Sequence, residues 1–415
     1  MNQPFYISSK PVGSVCNLDC HYCYYLEKTH LYPKKEKHMM NFQMLEHYIK
    51  SYICESHHTE VVFTWHGGEP LLQKIEFYQE AVRLQQFYGR QYRKRVMNSL
   101  QTNGTLIDDV WARFFAQHHF LIGLSIDGPE QLHDFYRKTK NGKSSFHDVM
   151  RGLNLLKKYQ VEFNILATVN SYNVHFPQQV YQFFKSVGAR YIQFTPIVER
   201  EFVQAKSDSS SLNIATVTTP NTQAQISEWT VNPLDYGRFL NQIFDEWVAK
   251  DIGEIYVINF DAMLANWYGV EPPICVFAKK CGHALGMEYN GDVYSCDHFV
   301  FEEYKLGNLT TSTFQQMLAS SQQQFGHAKQ DNLPTQCQRC EFLFACNGEC
   351  PKNRFMHTQT GEPNLNYLCQ GFQLFYRHIA PYMQYMVTEL QHDRSPVNIK
   401  SQVSIIKSRH QNAAS

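Results

Sequence analysis

Twelve cysteines dominate the chemistry available to this chain, and eleven fall into two groups. Cys16, Cys20 and Cys23 form a C-x3-C-x2-C loop followed by Tyr24 and Tyr25. Cys275, Cys281, Cys296, Cys337, Cys340, Cys346, Cys350 and Cys369 crowd the C-terminal part. Three ligand candidates in one group and eight in the other suggest three iron–sulfur clusters, because a cubane normally takes four thiolates. A loop that offers three leaves one iron open, and an open iron can bind and activate a small molecule. The competing reading is zinc: half a site at the first loop and one or two ribbons at the second group. Cys54 is left over; it lies on a helical pattern and reads as a small core residue.

Other residues of chemical interest sit beside short apolar runs. His66-Gly67-Gly68-Glu69-Pro70 follows one such run and offers unhindered backbone plus a carboxylate for a ligand's ammonium. In isolation the Gly-Gly is equally a turn. Gln101-Thr102-Asn103-Gly104 and Ser125-Ile126-Asp127-Gly128-Pro129 occupy comparable places, and each could be only a strand end. Arg137, soon after Ser125, could pair with a carboxylate, although most arginines are simply solvated.

The elements that must position these groups alternate. Strand patterns lie near 6–11, 61–65, 96–102, 121–126, 161–169 and 191–196, with helical patterns near 41–57, 75–88, 108–118, 145–159 and 177–187. Such βα alternation argues for an α/β fold with a parallel sheet and helical crossovers. Six units are too few for a complete (β/α)8 barrel, so an open (β/α)6 barrel is expected, with the chemistry at the strand C-termini. Composition turns to Ser, Thr, Gln and Asn over 205–231, which reads as a flexible insertion within a 1–231 barrel domain. A helical linker over 232–272 follows, its helix at 232–250 begun by Asn232 and Pro233. The cysteine-rich domain spans 273–395 with a final helix near 369–390, and a polar, frayed tail covers 396–415.

Bulk properties narrow the classes. Of 415 residues 43% are hydrophobic, enough for a large core, and 38 Lys+Arg balance 38 Asp+Glu, so no global field favours nucleic acid or an anionic membrane. The N-terminus lacks a basic, then apolar, leader, and no apolar run reaches the roughly 18 residues of a membrane span. A cytoplasmic location is expected. There, cysteine richness points to metal rather than disulfides.

Taken together, the Cys16/Cys20/Cys23 loop and the later Gly-Gly-Glu-Pro resemble the radical S-adenosylmethionine (SAM) superfamily. The C-terminal cysteines resemble its SPASM module. Within that group the chain is most similar to anaerobic sulfatase-maturating enzymes, on 23–28 (Cys-Tyr-Tyr-Leu-Glu-Lys), Thr64-Trp65-His66-Gly67-Gly68-Glu69-Pro70, Gln101-Thr102-Asn103-Gly104 and Ser295-Cys296-Asp297-His298. His66 stands where that family usually has Gln, and Tyr24 where it often has Phe; both would face the substrate.

The resemblance implies three [4Fe–4S] clusters. Cys16, Cys20 and Cys23 would hold the SAM-binding one, and Cys275, Cys281, Cys296 and Cys350 the second. Cys337, Cys340, Cys346 and Cys369 would hold the third. Tyr22, Gly68, Ser125, Arg137 and Val198 would contact SAM, and Asp297 would be the catalytic base. It further implies oxidation of a Cys or Ser in an unfolded sulfatase polypeptide to Cα-formylglycine, with an electron donor such as flavodoxin or ferredoxin. Two rivals stay open: another SPASM peptide modifier that makes a crosslink or thioether, and a zinc-stabilised binding protein without catalysis.

Overall fold

The computed structural model describes residues 5–32, 38–203, 215–216, 218–319 and 321–414. Six parallel strands appear where the apolar runs lie: β1 (Tyr6–Lys10), β2 (Glu60–Trp65), β3 (Arg95–Thr102), β4 (Leu121–Ser125), β5 (Phe163–Val169) and β6 (Tyr191–Pro196). They neighbour one another in chain order and in parallel register. The crossovers are α1 (Phe42–Glu55), α2 (Ile75–Tyr92), α3 (Asp109–Gln117), α4 (Glu130–Tyr136), α5 (Phe146–Lys158) and α6 (Pro177–Ser186). Polar caps start several of them. The Asn41 side chain accepts from Met44 N–H and Asp108 from Val110 and Trp111, satisfying amides that a helix start leaves orphaned.

Strand alternation separates two faces. Val61, Phe63 and Trp65 of β2 and Ile122 and Leu124 of β4 pack outward against the helices, in two large apolar clusters. The alternate positions carry Thr64, Ser99, Gln101 and Ser125, which bond across strands: Ser99 to Thr64 at 3.1 Å and Gln101 Nε2 to Ser125 Oγ at 2.9 Å. The inner face of the half-barrel is therefore polar.

The sheet does not stop at six strands. A short hairpin, β7 (Arg200–Phe202) with β8 (Ala224–Ile226), follows β6. Helix α7 (Pro233–Glu246), capped by Asn232, leads to β9 (Tyr256–Val257), which joins β6 in parallel, and to α8 (Ile258–Tyr268). At the opposite edge β10 (Ala284–Glu288) pairs in parallel with β1 along its whole length. Antiparallel β11 (Asp292–Tyr294) and β12 (Lys305–Asn308) complete a ten-stranded sheet. The cysteine-rich segment is thus an extension of the barrel sheet.

Small helices α9 (Phe314–Leu318), α10 (Ser321–Asp331), α11 (Thr335–Gln338) and α12 (Leu343–Cys346) precede the long α13 (Cys369–Gln391) and terminal α14 (Val403–Ala414). Gly371 of α13 lies directly on α7, where an added Cβ would strike the Pro233 carbonyl. That contact seats α13 on the barrel.

Three expectations need correction. Much of the flexible insertion over 205–231 lies outside the described residues, but its second half is folded. There, β8 pairs with β7, and Trp229 and Val231 are buried. The tail is helical, with Ile399 fully buried, because apolar residues among its polar ones find the main core. Cys54 is exposed on α1: the buried stripe of that helix runs through Leu45, Tyr48, Ile49, Tyr52 and Ile53 and leaves Cys54 outside it.

Candidate active site

The Cys16–Cys23 loop leaves β1 and is held by backbone. Gly68 N–H donates to Gly13 O at 2.8 Å and Glu69 N–H to Val15 O at 2.9 Å. A Cβ at Gly68 would collide with the Ser14–Val15 carbonyls, so only glycine lets the two chains approach this closely. Asn103 donates to Asn17 Oδ1 at 2.9 Å and lies 3.8 Å from Cys16 Sγ. The three thiols share one small buried cluster with Tyr22, Ile197 and Trp229.

Glu69 does not offer its carboxylate to a ligand as expected. Oε1 accepts from Leu71 N–H at 2.9 Å and Thr102 Oγ1 at 2.8 Å, and Oε2 accepts from Asn103 N–H at 2.9 Å. It braces the loop after β3, which the Gly-Gly-Glu-Pro string alone cannot reveal. Burial pushes its carboxyl up to about 7 against the pull of those three bonds.

The sequence candidates for SAM contact gather near the same loop. Tyr22 O–H donates to Asp127, and Arg137 Nε lies 3.0 Å from the same carboxylate, with all three side chains buried. Thr168 N–H donates to Asp127 Oδ1 at 3.0 Å. Burial opposes the charge on Arg137, but Asp127 beside it more than compensates and holds the guanidinium protonated. The carboxylate partner anticipated for Arg137 is therefore Asp127, within the chain. Ser125 ends β4 on the polar inner face. Val198, buried just beyond β6, gives its carbonyl to Lys352 Nζ at 2.8 Å.

A second polar centre lies between β1 and the end of β11. Asp297 follows Cys296 directly. Tyr24 O–H donates to Asp297 Oδ2 at 3.0 Å, and Lys10, fully buried at the end of β1, forms an ion pair with Oδ1. Lys10 Nζ also lies 3.1 Å from His66 Nδ1. Burial works against the charge on Asp297, yet Lys10 and the nearby imidazoles hold it below the usual carboxylate range. His298 stacks on Tyr24 with ring centroids 5.0 Å apart. Tyr25 O–H donates to Glu288, whose carboxyl burial pushes up to about 7. Beyond Tyr24 a pocket is bordered by His298, Lys28, Arg200 and a Lys352–Glu199 pair at 2.5 Å. Lys10, Glu288 and Lys352 escaped the sequence reading. Lys10 had one available signal, a charged residue closing an otherwise buried strand.

The remaining cysteines divide into two sets. Cys337, Cys340, Cys346 and Cys369 line one apolar pocket with Phe342, Phe372 and Tyr376. Cys275 and Cys350 lie close enough to Cys296 for their charges to interact, and Cys281 is similarly close to Cys275. Cys346 and Cys350 belong to different sets although only three residues separate them. The turn between them runs through positive φ at Asn347 (48°), Gly348 (70°) and Glu349 (52°). Arg354 steadies it by donating to the carbonyls of Asn347, Gly348 and Glu349 at 2.7–3.0 Å.

Among the described residues no three His, Cys, Asp or Glu side chains close around a single metal ion. Burial pushes Cys16, Cys346 and Cys350 up to about 12, so as bare thiols they would keep their protons at neutral pH. Thiols in such surroundings suit a cationic group that draws the protons off.

Residues 11–182 match the Radical SAM superfamily and residues 279–341 match SPASM, an iron–sulfur cluster-binding domain. Fold and site together define a radical SAM enzyme with a SPASM module. A serine-type anaerobic sulfatase-maturating enzyme of Bacteroides thetaiotaomicron is 50% identical over 398 residues, covering 96% of this chain and 94% of its own. A cysteine-type enzyme of Clostridium novyi is 31% identical over 386 residues, covering 92% and 96%. The solved structure of native anSMEcpe with bound AdoMet and Cp18Cys peptide has a TM-score of 0.80 at 29% identity, covering 94% of this chain and 100% of that one. The chain belongs to the anaerobic sulfatase-maturating enzymes. Among the described residues no helix is long and apolar enough to cross a membrane.

Proposed function

We propose that this enzyme oxidises a Ser or Cys side chain of an unfolded sulfatase segment to Cα-formylglycine without oxygen. One observation carries the reading. The hydrogen bond of 3.0 Å from Tyr24 to Asp297 joins the neighbour of Cys23 to the neighbour of Cys296. A hydrogen-abstracting end and an electron-accepting end would then meet at one carboxylate.

Cys16, Cys20 and Cys23 would hold the SAM-binding [4Fe–4S] cluster. Cys275, Cys281, Cys296 and Cys350 would hold one auxiliary cluster, and Cys337, Cys340, Cys346 and Cys369 the other. When bound, SAM and the clusters supply a hydrogen-abstracting adenosyl radical and a sink for the second electron. The chain's residues do the rest. Arg137, its guanidinium already paired with Asp127 through Nε, would contact SAM beside Tyr22, Gly68, Ser125 and Val198. Asp297 would take the O–H or S–H proton as the Cβ–H bond is broken. The polar inner face would orient the polypeptide, and an external flavodoxin or ferredoxin would supply electrons. Relatives of both serine and cysteine type keep both side chains in the reading.

The test is anaerobic incubation of a sulfatase-derived peptide with enzyme, SAM and reductant, followed by mass spectrometry. A mass matching the aldehyde supports the reading. Release of 5′-deoxyadenosine with an unaltered peptide, or with a crosslinked one, rejects it.

A further inference from the structure

Lys10 is the last residue of β1 and fully buried. A buried ammonium must find partners. Its Nζ lies over the Tyr25 ring, 4.7 Å from the centroid, and meets two groups remote in sequence, Asp297 Oδ1 and His66 Nδ1. An ammonium has donors only, so His66 Nδ1 must accept from it. Gly67 N–H donates to the same nitrogen at 2.7 Å. The ring proton therefore sits on Nε2, at the imidazole edge away from Lys10. Asp297 and His66 are half-buried, so neither is sealed off from a ligand.

We propose that Lys10 is a positioning residue that fixes one acceptor, the Asp297 carboxylate, and one donor, the His66 Nε2–H, and that this donor makes the site prefer a seryl hydroxyl to a cysteinyl thiol. The inference rests on the sulfatase-maturation reading above. A hydroxyl oxygen accepts hydrogen bonds well, whereas a thiol sulfur accepts weakly. A seryl O–H can donate to Asp297 while accepting from His66. A cysteinyl S–H makes only the first contact well. His66 thus contributes more to a Ser substrate than to a Cys substrate, and Lys10 holds His66 in the tautomer that can contribute.

The experiment uses two peptides of one sulfatase segment, identical except for Ser or Cys at the target. The parental enzyme, His66→Ala, His66→Gln and Lys10→Met are compared by kcat/KM on each peptide. Iron content, SAM affinity and 5′-deoxyadenosine released per aldehyde are also measured. His66→Ala should lower turnover of the Ser peptide about tenfold more than that of the Cys peptide, the scale of one lost hydrogen bond. His66→Gln, which restores an N–H donor, should recover most of that difference. Lys10→Met should shift the Ser/Cys ratio the same way and release more 5′-deoxyadenosine per aldehyde, at parental iron content and SAM affinity. Equal losses on both peptides with His66→Ala overturn the proposal, as does a Lys10→Met enzyme with parental ratio and coupling. If Lys10→Met fails to fold, the two His66 variants decide alone. Neither peptide gaining an aldehyde from the parental enzyme rejects the maturation reading itself, an outcome distinct from normal turnover with unchanged ratios.

Discussion

Two ion pairs, each with a buried cation, organise this molecule, and they are built on opposite plans. Asp127–Arg137 joins residues close in the chain, one just past β4 and the other just past α4, and lies within the barrel. Lys10–Asp297 joins the first strand to the cysteine-rich segment. The first pair is a property of one βα unit and travels with it. The second exists only when both ends of the chain have come together. In the proposed function the difference would separate two tasks: holding the cofactor would be local work, whereas bringing a base to the substrate would depend on the assembled chain.

The largest disruption removes what both pairs serve. Replacing Cys16, Cys20 and Cys23 together by Ala should remove about four irons of about twelve and abolish SAM cleavage, read by iron analysis and 5′-deoxyadenosine release. Cleavage at the parental rate would end the radical reading.

Asp297→Asn breaks the long-range pair alone. It keeps the shape but removes the proposed base, so aldehyde formation should fall by about 10²–10⁴-fold. Three clusters and slow 5′-deoxyadenosine release should remain. Parental aldehyde formation would move the base to another residue, His298 being the next to examine.

Arg137→Ala breaks the local pair. It strips Asp127 of its counter-charge inside the barrel, and breaking a buried pair from one side costs about 3–5 kcal/mol. A lowered Tm should therefore accompany a SAM affinity about tenfold weaker, the scale of a lost charge-assisted bond. Calorimetry on the folded protein separates the two effects. Unchanged SAM affinity would confine Arg137 to structural work.

The smallest effect is expected where neither pair is touched. Cys54→Ser on the exposed face of α1 should change stability by no more than about 0.5 kcal/mol and leave iron content unaltered. Loss of iron would place Cys54 among the ligands and undo the division of the other eleven cysteines.

How much of this was legible follows the same contrast. The six parallel strands were readable because apolar runs bounded by turn residues are local signals. Arg137 and the strand end at 125–129 both stood out, but the pairing of Arg137 with Asp127 did not. Lys10 was not readable, because its partners His66 and Asp297 lie far along the chain and only pairing of β10 with β1 brings Asp297 near. Glu69 was misread for a related reason: its role depends on Thr102 and Asn103 at the end of the next strand. Cys54 was misassigned because helical periodicity was judged without fixing which stripe of α1 faces the core.

The pairing of β10 with β1 has a consequence for synthesis. β2 follows β1 closely in the chain and covers one of its edges early. Its other edge must wait for Ala284–Glu288. At about 5–20 residues per second, that wait lasts roughly 14–56 seconds. Throughout it the nascent barrel carries an open strand edge, which is an invitation to wrong pairing, and Lys10 at its end lacks Asp297. The enzyme thus spends its own synthesis with an unfinished edge that other unfolded chains can capture. Trigger-type chaperones that shield early β-edges should raise its soluble yield more than those acting after release.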